Sequence, residues 1–163
     1  MKNESKKIIH PIPPLFWDNS KVLILGSFPS VKSREQAFFY GHPQNRFWRV
    51  ISGVFERELP QTVEEKTKLI KDCNLALWDV IASCEIIGSD DSSIKNVVAN
   101  DIGEILKNSK VEKIFVNGKT AEKYYIKYIE KKVNIKAYCL PSTSPANAAY
   151  GLLKLIDKWS VIK

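Results

Sequence analysis

Lys21-Val22-Leu23-Ile24-Leu25-Gly26-Ser27-Phe28-Pro29-Ser30 is an aliphatic run that breaks at once into a turn of glycine, serine and proline. A run so short, with no polar alternation, suits a strand buried on both faces, as in parallel sheets. Runs of the same kind recur at Leu75 to Val80, Lys113 to Val116 and Ile135 to Leu140, and helical periodicity fills the intervals. Thr62-Val63-Glu64-Glu65 has the form of a capping box, with Leu69, Ile70 and Cys73 as the inner stripe of the helix it starts. Phe47, Ile51 and Val54 form a second stripe. Asp101 is placed to cap a shorter helix with Ile102, Ile105 and Leu106 inward, and Ala121, Tyr124, Tyr125, Tyr128 and Ile129 mark another. Ser144-Pro145 reads as the start of the last helix, with proline at the first helical position and Ala149, Leu152, Leu153 and Ile156 inward. Parallel strands need crossover connections, so this alternation predicts a three-layer α/β/α sandwich around a central four-stranded parallel sheet.

The 163 residues fit one domain spanning 1–163. Apolar residues are 44% and charged residues 26%, the balance of a soluble globular chain, which excludes disorder and low complexity. The longest aliphatic run, Val22 to Leu25, is far below the roughly 18 residues of a membrane span. The net charge of +7 favours polyanionic partners. Met1 to Pro11 is basic without an apolar core or small-residue cleavage site, so a cytoplasmic location is expected, nucleoid-associated if the source is prokaryotic. Cys73, Cys84 and Cys139 are odd in number and widely spaced, which argues against zinc, iron–sulfur and disulfide roles and for small buried apolar residues.

In such folds ligands bind outside the carboxyl ends of the strands. The segments there are Gly26 to Ser30, Asp79 to Ser93, Asn117 to Thr120 and Pro141 to Asn147, with Gly88 to Ser93 reading as a polar surface loop. Gly118-Lys119-Thr120 lacks the upstream glycine of a phosphate-binding loop, because position 113 is Lys113. Either Asn117 and the following helix start face the crevice, or the segment is an ordinary turn. Lys119, Lys123, Lys127 and Lys131 form one ridge, which suits solvent and phosphate equally. Asp79, weighed as a general base, either caps a turn or touches the site, with capping favoured; His10 and His42 could serve as acids, but both adjoin prolines in turns and read first as structural. Phe38-Phe39-Tyr40-Gly41-His42-Pro43-Gln44-Asn45-Arg46-Phe47-Trp48-Arg49 places aromatics before a turn and an amide at a helix start flanked by arginines. That combination suits a planar ring held beside a polyanion.

The first-strand turn together with Tyr40 to Ile51 resembles the uracil-DNA glycosylase superfamily, most of all its hypoxanthine-DNA (deoxyinosine) and mismatch-specific uracil/thymine branches. Leu140-Pro141-Ser142-Thr143-Ser144-Pro145 stands where that family carries its Pro-Ser loop, so the resemblance covers nearly the whole chain. It implies hydrolytic excision of a damaged base from double-stranded DNA, without metal or cofactor and with no obligate protein partner. Such enzymes flip the nucleotide out of the stack. By family position Tyr40 stacks on the extruded base, Phe28 and Phe39 are further base contacts, and Asn117 reads the base edge. Gly26, Ser27 and Ser30 hold phosphate, while Ser142, Thr143, Ser144, Pro145, Ala146 and Asn147 press into the minor groove.

The chain departs from the mismatch-specific branch at one position. Where that branch has a water-positioning asparagine before its proline, this chain has Phe28, and an arene cannot orient water. In the hypoxanthine-specific group the asparagine of the His-Pro-x-Asn motif is the catalytic residue, here Asn45. The resemblance therefore implies a monofunctional glycosylase preferring hypoxanthine, with uracil or mismatched thymine as the alternative base. The rival readings are a non-catalytic nucleic-acid-binding module on the same fold and a hydrolase of free nucleosides.

Overall fold

A computed structural model describes residues 4–163, so Met1 to Asn3 of the basic N-terminal stretch lie outside the described residues. Four of the strands are the ones anticipated: β2 (Val22–Gly26), β3 (Leu75–Asp79), β6 (Lys113–Asn117) and β7 (Ala137–Leu140). They form a parallel sheet in the order β3-β2-β6-β7, with Val22 opposite both Leu75 and Lys113. Alternate residues feed two cores. Ile24, Leu75, Leu77 and Phe115 join α2 (Phe47–Phe55), α3 (Val63–Asp72) and α7 (Leu152–Trp159) on one face. Leu23, Leu25, Ala76, Ile114 and Val116 join α4 (Gly103–Lys107) and α5 (Lys119–Tyr128) on the other. The three-layer architecture follows from a sheet with no polar face.

Local signals set the helix ends. Thr62 Oγ1 accepts from Glu65 N at 3.0 Å, but the Glu65 carboxylate reaches back one residue further than a strict capping box, accepting from Gln61 N at 2.7 Å. Asp101 accepts from Gly103 N at 2.8 Å ahead of α4. Short helices α1 (Val31–Gln36) and α6 (Glu130–Val133) complete the set. Ridge residues Lys119, Lys123, Lys127 and Lys131 are all exposed. The cysteines are free; Cys84 is buried, whereas Cys73 and Cys139 are only half-buried, short of the full burial expected of them.

Two expectations are corrected. Gly88 to Ser93 is not a surface loop: β4 (Ile81–Ile87) and β5 (Asp90–Ala99) form a hairpin, and β1 (Lys6–Ile9) adds to it as a second, antiparallel sheet in the order β1-β4-β5. Gly88, at φ +59°, leads a two-residue turn, a position glycine fills because its backbone must be left-handed. Cys84, Ile86 and Ile94 bury one face of this sheet in the second core, and the turn reaches toward the carboxyl edge of the parallel sheet.

The last helix does not begin at Ser144-Pro145. It begins at Leu152 after Gly151, and Ser144 to Tyr150 remain a looped segment. The Arg46 side chain draws the carbonyls of Ser144 (2.9 Å), Asn147 (3.0 Å) and Tyr150 onto itself, and Ser144 Oγ accepts from Ala146 N at 3.1 Å. Carbonyls taken by a guanidinium and amides taken by side chains are diverted from a helical ladder. Of the residues expected inward, Leu152 and Ile156 pack against the first core, whereas Leu153 is 82% exposed and Ala149, outside the helix, faces solvent; the fully buried residues of α7 are Leu155 and Trp159.

Candidate active site

Every parallel strand ends at one edge, and a cavity of about 410 Å³ opens there, within the usual size of a ligand pocket. Gly26 to Ser30, Phe39 and Tyr40, Asn45, Asn117 and Ser142 to Ala146 contribute to its walls, so all the anticipated site residues but one meet there. Asn147 instead lines an adjoining hollow, with Gly118 to Thr120 and Tyr150. Asp79, for which the sequence favours capping over touching the site, also reaches the cavity, as do His42, which reads as structural, and Ser89, Asp90 and Asp91 of the hairpin. Burial raises the pKa of the Asp91 carboxyl, against hydrogen bonds from Ser27 and Thr120 that lower it.

Asn45 sits two residues before α2, and its Oδ1 accepts from Phe47 N at 2.9 Å and from Thr143 Oγ1 at 2.8 Å. Both acceptor positions of the amide are thereby taken, and among the described residues Nδ2 engages no protein group. What Asn45 offers the cavity is a hydrogen-bond donor.

Asn117, at the end of β6, receives Thr143 N on Oδ1 at 3.0 Å and donates from Nδ2 to Thr143 Oγ1 at 3.0 Å and Tyr40 Oη at 3.3 Å. Its two amide hydrogens are therefore committed within the protein, and a remaining lone pair on Oδ1 is what it can present to a base. Thr143 is fully buried and binds both asparagines; its side chain is a brace for the site and does not face outward with the rest of its loop.

Tyr40 takes a left-handed backbone at φ 52°, a strained state for an aromatic residue and one that tends to persist at functional sites. Its ring stacks on Phe47 with centroids 4.0 Å apart, so one face is already covered. Burial raises the pKa of its hydroxyl well above that of an ordinary tyrosine; the Asp79 carboxylate adds to the shift and the Asn117 hydrogen bond partly offsets it. Phe28 is buried against His10, and Phe39, buried in the core, accepts from Trp48 Nε1 through its carbonyl at 3.2 Å.

Asp79 caps no turn with its side chain. Its Oδ2 lies 2.8 Å from His10 Nε2, a partnership across 69 residues that no spacing rule exposes. Arg46, anticipated as a cation beside a polyanion, is turned inward onto the loop carbonyls, whereas Arg49 is exposed. Lysine cannot reproduce that fork. Arg46→Lys is therefore expected to loosen Ser144 to Tyr150, weakening duplex binding about tenfold, which corresponds to one lost charge-assisted bond. The excision rate at saturating protein should change far less, and fluorescence anisotropy with single-turnover kinetics separates the two effects.

The family model for the uracil DNA glycosylase superfamily matches residues 13–161. The chain belongs to the uracil-DNA glycosylase superfamily. Two relatives named hypoxanthine DNA glycosylase bear the similarity out across most of both chains. That of Methanosarcina acetivorans is 32% identical over 140 residues, 85% of this chain and 87% of the relative. That of Methanosarcina barkeri is 32% identical over 139 residues, covering 83% and 85%. A solution NMR structure of a candidate uracil DNA glycosylase from Methanosarcina acetivorans superposes with a TM-score of 0.78 at 28% identity, covering 95% of this chain and 99% of that one. The superfamily member described here is thus a DNA N-glycosylase on the expected fold. Among its described residues no helix is long and apolar enough to cross a membrane.

Proposed function

We propose that this protein is a monofunctional DNA glycosylase of base excision repair that flips a deaminated base from duplex DNA and removes it by hydrolysis, with hypoxanthine preferred. The observation that carries this reading is the pairing, in one cavity, of Asn45 with its free Nδ2 and a first loop presenting Phe28 where an amide would orient water. The names of its Methanosarcina relatives point the same way. No lysine lines the cavity among the described residues, so a water rather than an amine is the nucleophile this site supports.

In this reading the base enters against the open face of Tyr40, and Asn117 reads its edge through the Oδ1 lone pair. Asn45 donates through Nδ2 to the oxygen of the attacking water. Backbone amides of Ser27 and Ser30 hold phosphate beside the extruded nucleotide, and the outward-facing part of the loop from Ser142 to Asn147 presses into the minor groove. The location that goes with this reading is the cytoplasm, on the nucleoid if the source is prokaryotic.

A duplex carrying one deoxyinosine, incubated with the protein in EDTA and then treated with alkali, should be cut at that position, and a matched uracil duplex should be cut far more slowly. Cutting of uracil alone would move the protein to the mismatch branch. Binding without cutting of either strand would favour the non-catalytic module.

A further inference from the structure

The cavity contains a second polar device, on the strand next to the first loop. Asp79 ends β3 directly opposite Gly26 of β2, and its backbone carbonyl is held by Asn100 Nδ2 at 2.8 Å. Its side chain is 6% exposed and that of its partner His10 is 3% exposed. His10 Nδ1 accepts from Ile12 N at 3.2 Å, so the ring hydrogen sits on Nε2 and is donated to Asp79 Oδ2. Phe28 and Trp78 stand edge-on to the imidazole at 5.9 and 6.1 Å, which fixes its plane.

The second carboxylate oxygen is left free. Asp79 Oδ1 has no hydrogen-bond partner among the described residues, and Asp79 lines the cavity beside Gly26 and Tyr40. A carboxylate oxygen with no protein partner that borders a cavity is available to whatever enters the cavity. A bare negative charge is also out of place in a pocket for a polyanion, unless the reaction itself creates positive charge. Cleavage of an N-glycosidic bond does so, through a cation centred on the sugar carbon. Asn45 supplies only a donor, so the attacking water still lacks an acceptor for its proton.

We propose that Asp79 is a further catalytic residue of this glycosylase, its free Oδ1 accepting the proton of the attacking water, and that His10 is the positioning residue that holds Oδ2. The inference rests on the glycosylase reading above. The carbon–nitrogen bond from the sugar to the purine breaks with both electrons leaving on the base. The water oxygen bonds to the sugar carbon as its proton passes to Asp79 Oδ1. That proton then returns through solvent to the departed base, so hypoxanthine and an abasic sugar are formed and the carboxylate is regenerated.

Single-turnover excision from the deoxyinosine duplex tests this, with duplex affinity and melting temperature measured on the same proteins. Asp79→Asn should lower the rate by about a hundredfold or more, the scale of a lost general base, with affinity and melting little changed. Asp79→Ala should be as slow and should regain part of its rate in sodium formate, which places a small carboxylate in the vacated space. His10→Gln, which keeps a donor for Oδ2, should retain most of the rate that His10→Phe loses. The inference is overturned by Asp79→Asn at the wild-type rate, or by Asp79→Ala that melts early and ignores formate, since that marks a structural role. It is equally overturned if Asp79→Asn keeps its rate on hypoxanthine and accepts a base the wild type refuses, because Asp79 then reads the base edge. A wild-type protein that cuts neither deoxyinosine nor uracil removes the glycosylase reading and this inference together, whereas a failure confined to the variants removes only the inference.

Discussion

Asn45→Ala should reduce single-turnover excision of deoxyinosine by about a hundred- to a thousandfold, the usual effect of deleting one preorganised donor from a site that stabilises developing charge. Duplex affinity should stay within about threefold, because the outward-facing loop residues and the backbone amides that hold phosphate are left in place. The substitution also removes the acceptor for Phe47 N and for Thr143 Oγ1. A loss of about 1 kcal/mol of stability, typical of a deleted cap, should therefore accompany it. Asn45→Asp separates the two contributions, since a carboxylate keeps both acceptor bonds while abolishing the Nδ2 donor. Recovery of stability without recovery of rate in Asn45→Asp identifies the donor as the working group; an Asn45→Ala variant that excises at the wild-type rate would discard Asn45 from the chemistry.

The parts of the fold that were legible are those in which a residue's environment is set by its near neighbours in sequence. The parallel strands β2, β3 and β6 are buried on both faces, so each leaves a short apolar run, whereas β7 at the sheet edge exposes Tyr138; Thr62 caps α3 through a contact three residues away. The second sheet was hidden because only one of its faces is covered. Cys84 and Ile86 alternate with Ser83 and Glu85, and Asp90-Asp91-Ser92-Ser93 reads as loop chemistry until its partner strand is in place. The usable signal was the Gly88-Ser89 pair between two candidate strands, a turn that glycine in a left-handed conformation favours.

The site divides in the same way. Asn45, Tyr40 and the Pro-Ser loop stand out as a pattern, but what each side chain does depends on partners distant in sequence, such as Asn117 for Tyr40 and Thr143 for Asn45. Arg46 reaches Ser144 and Asn147, and in doing so overrides the helix start that Ser144-Pro145 signals. His10 meets Asp79 because β1 pairs with β4 and His10 N bonds the Ala82 carbonyl at 2.7 Å. Thr143 looks like one more polar loop residue and is in fact the buried joint between Asn45 and Asn117.

Gly26→Ala is the second substitution with a large expected effect, although it removes no polar group. A Cβ at this position would lie 2.4 Å from Asp79 Oδ1 and 3.1 Å from the Tyr40 hydroxyl, below the distances real Cβ atoms tolerate for the first and tight for the second. The backbone cannot retreat, since Gly26 O accepts from Val80 N at 2.8 Å and Ser27 O from Ile81 N at 3.1 Å. The carboxylate must move instead, against its bond to His10. A displacement of about 1 Å in a catalytic group costs on the order of a hundredfold in rate, and that is the expected fall in single-turnover excision. Gly151→Ala is the matched control, because a Cβ there meets nothing within 4 Å. Wild-type excision by Gly26→Ala would mean that the Asp79 carboxylate can shift without consequence, and the cavity wall it forms would then be scaffold rather than chemistry.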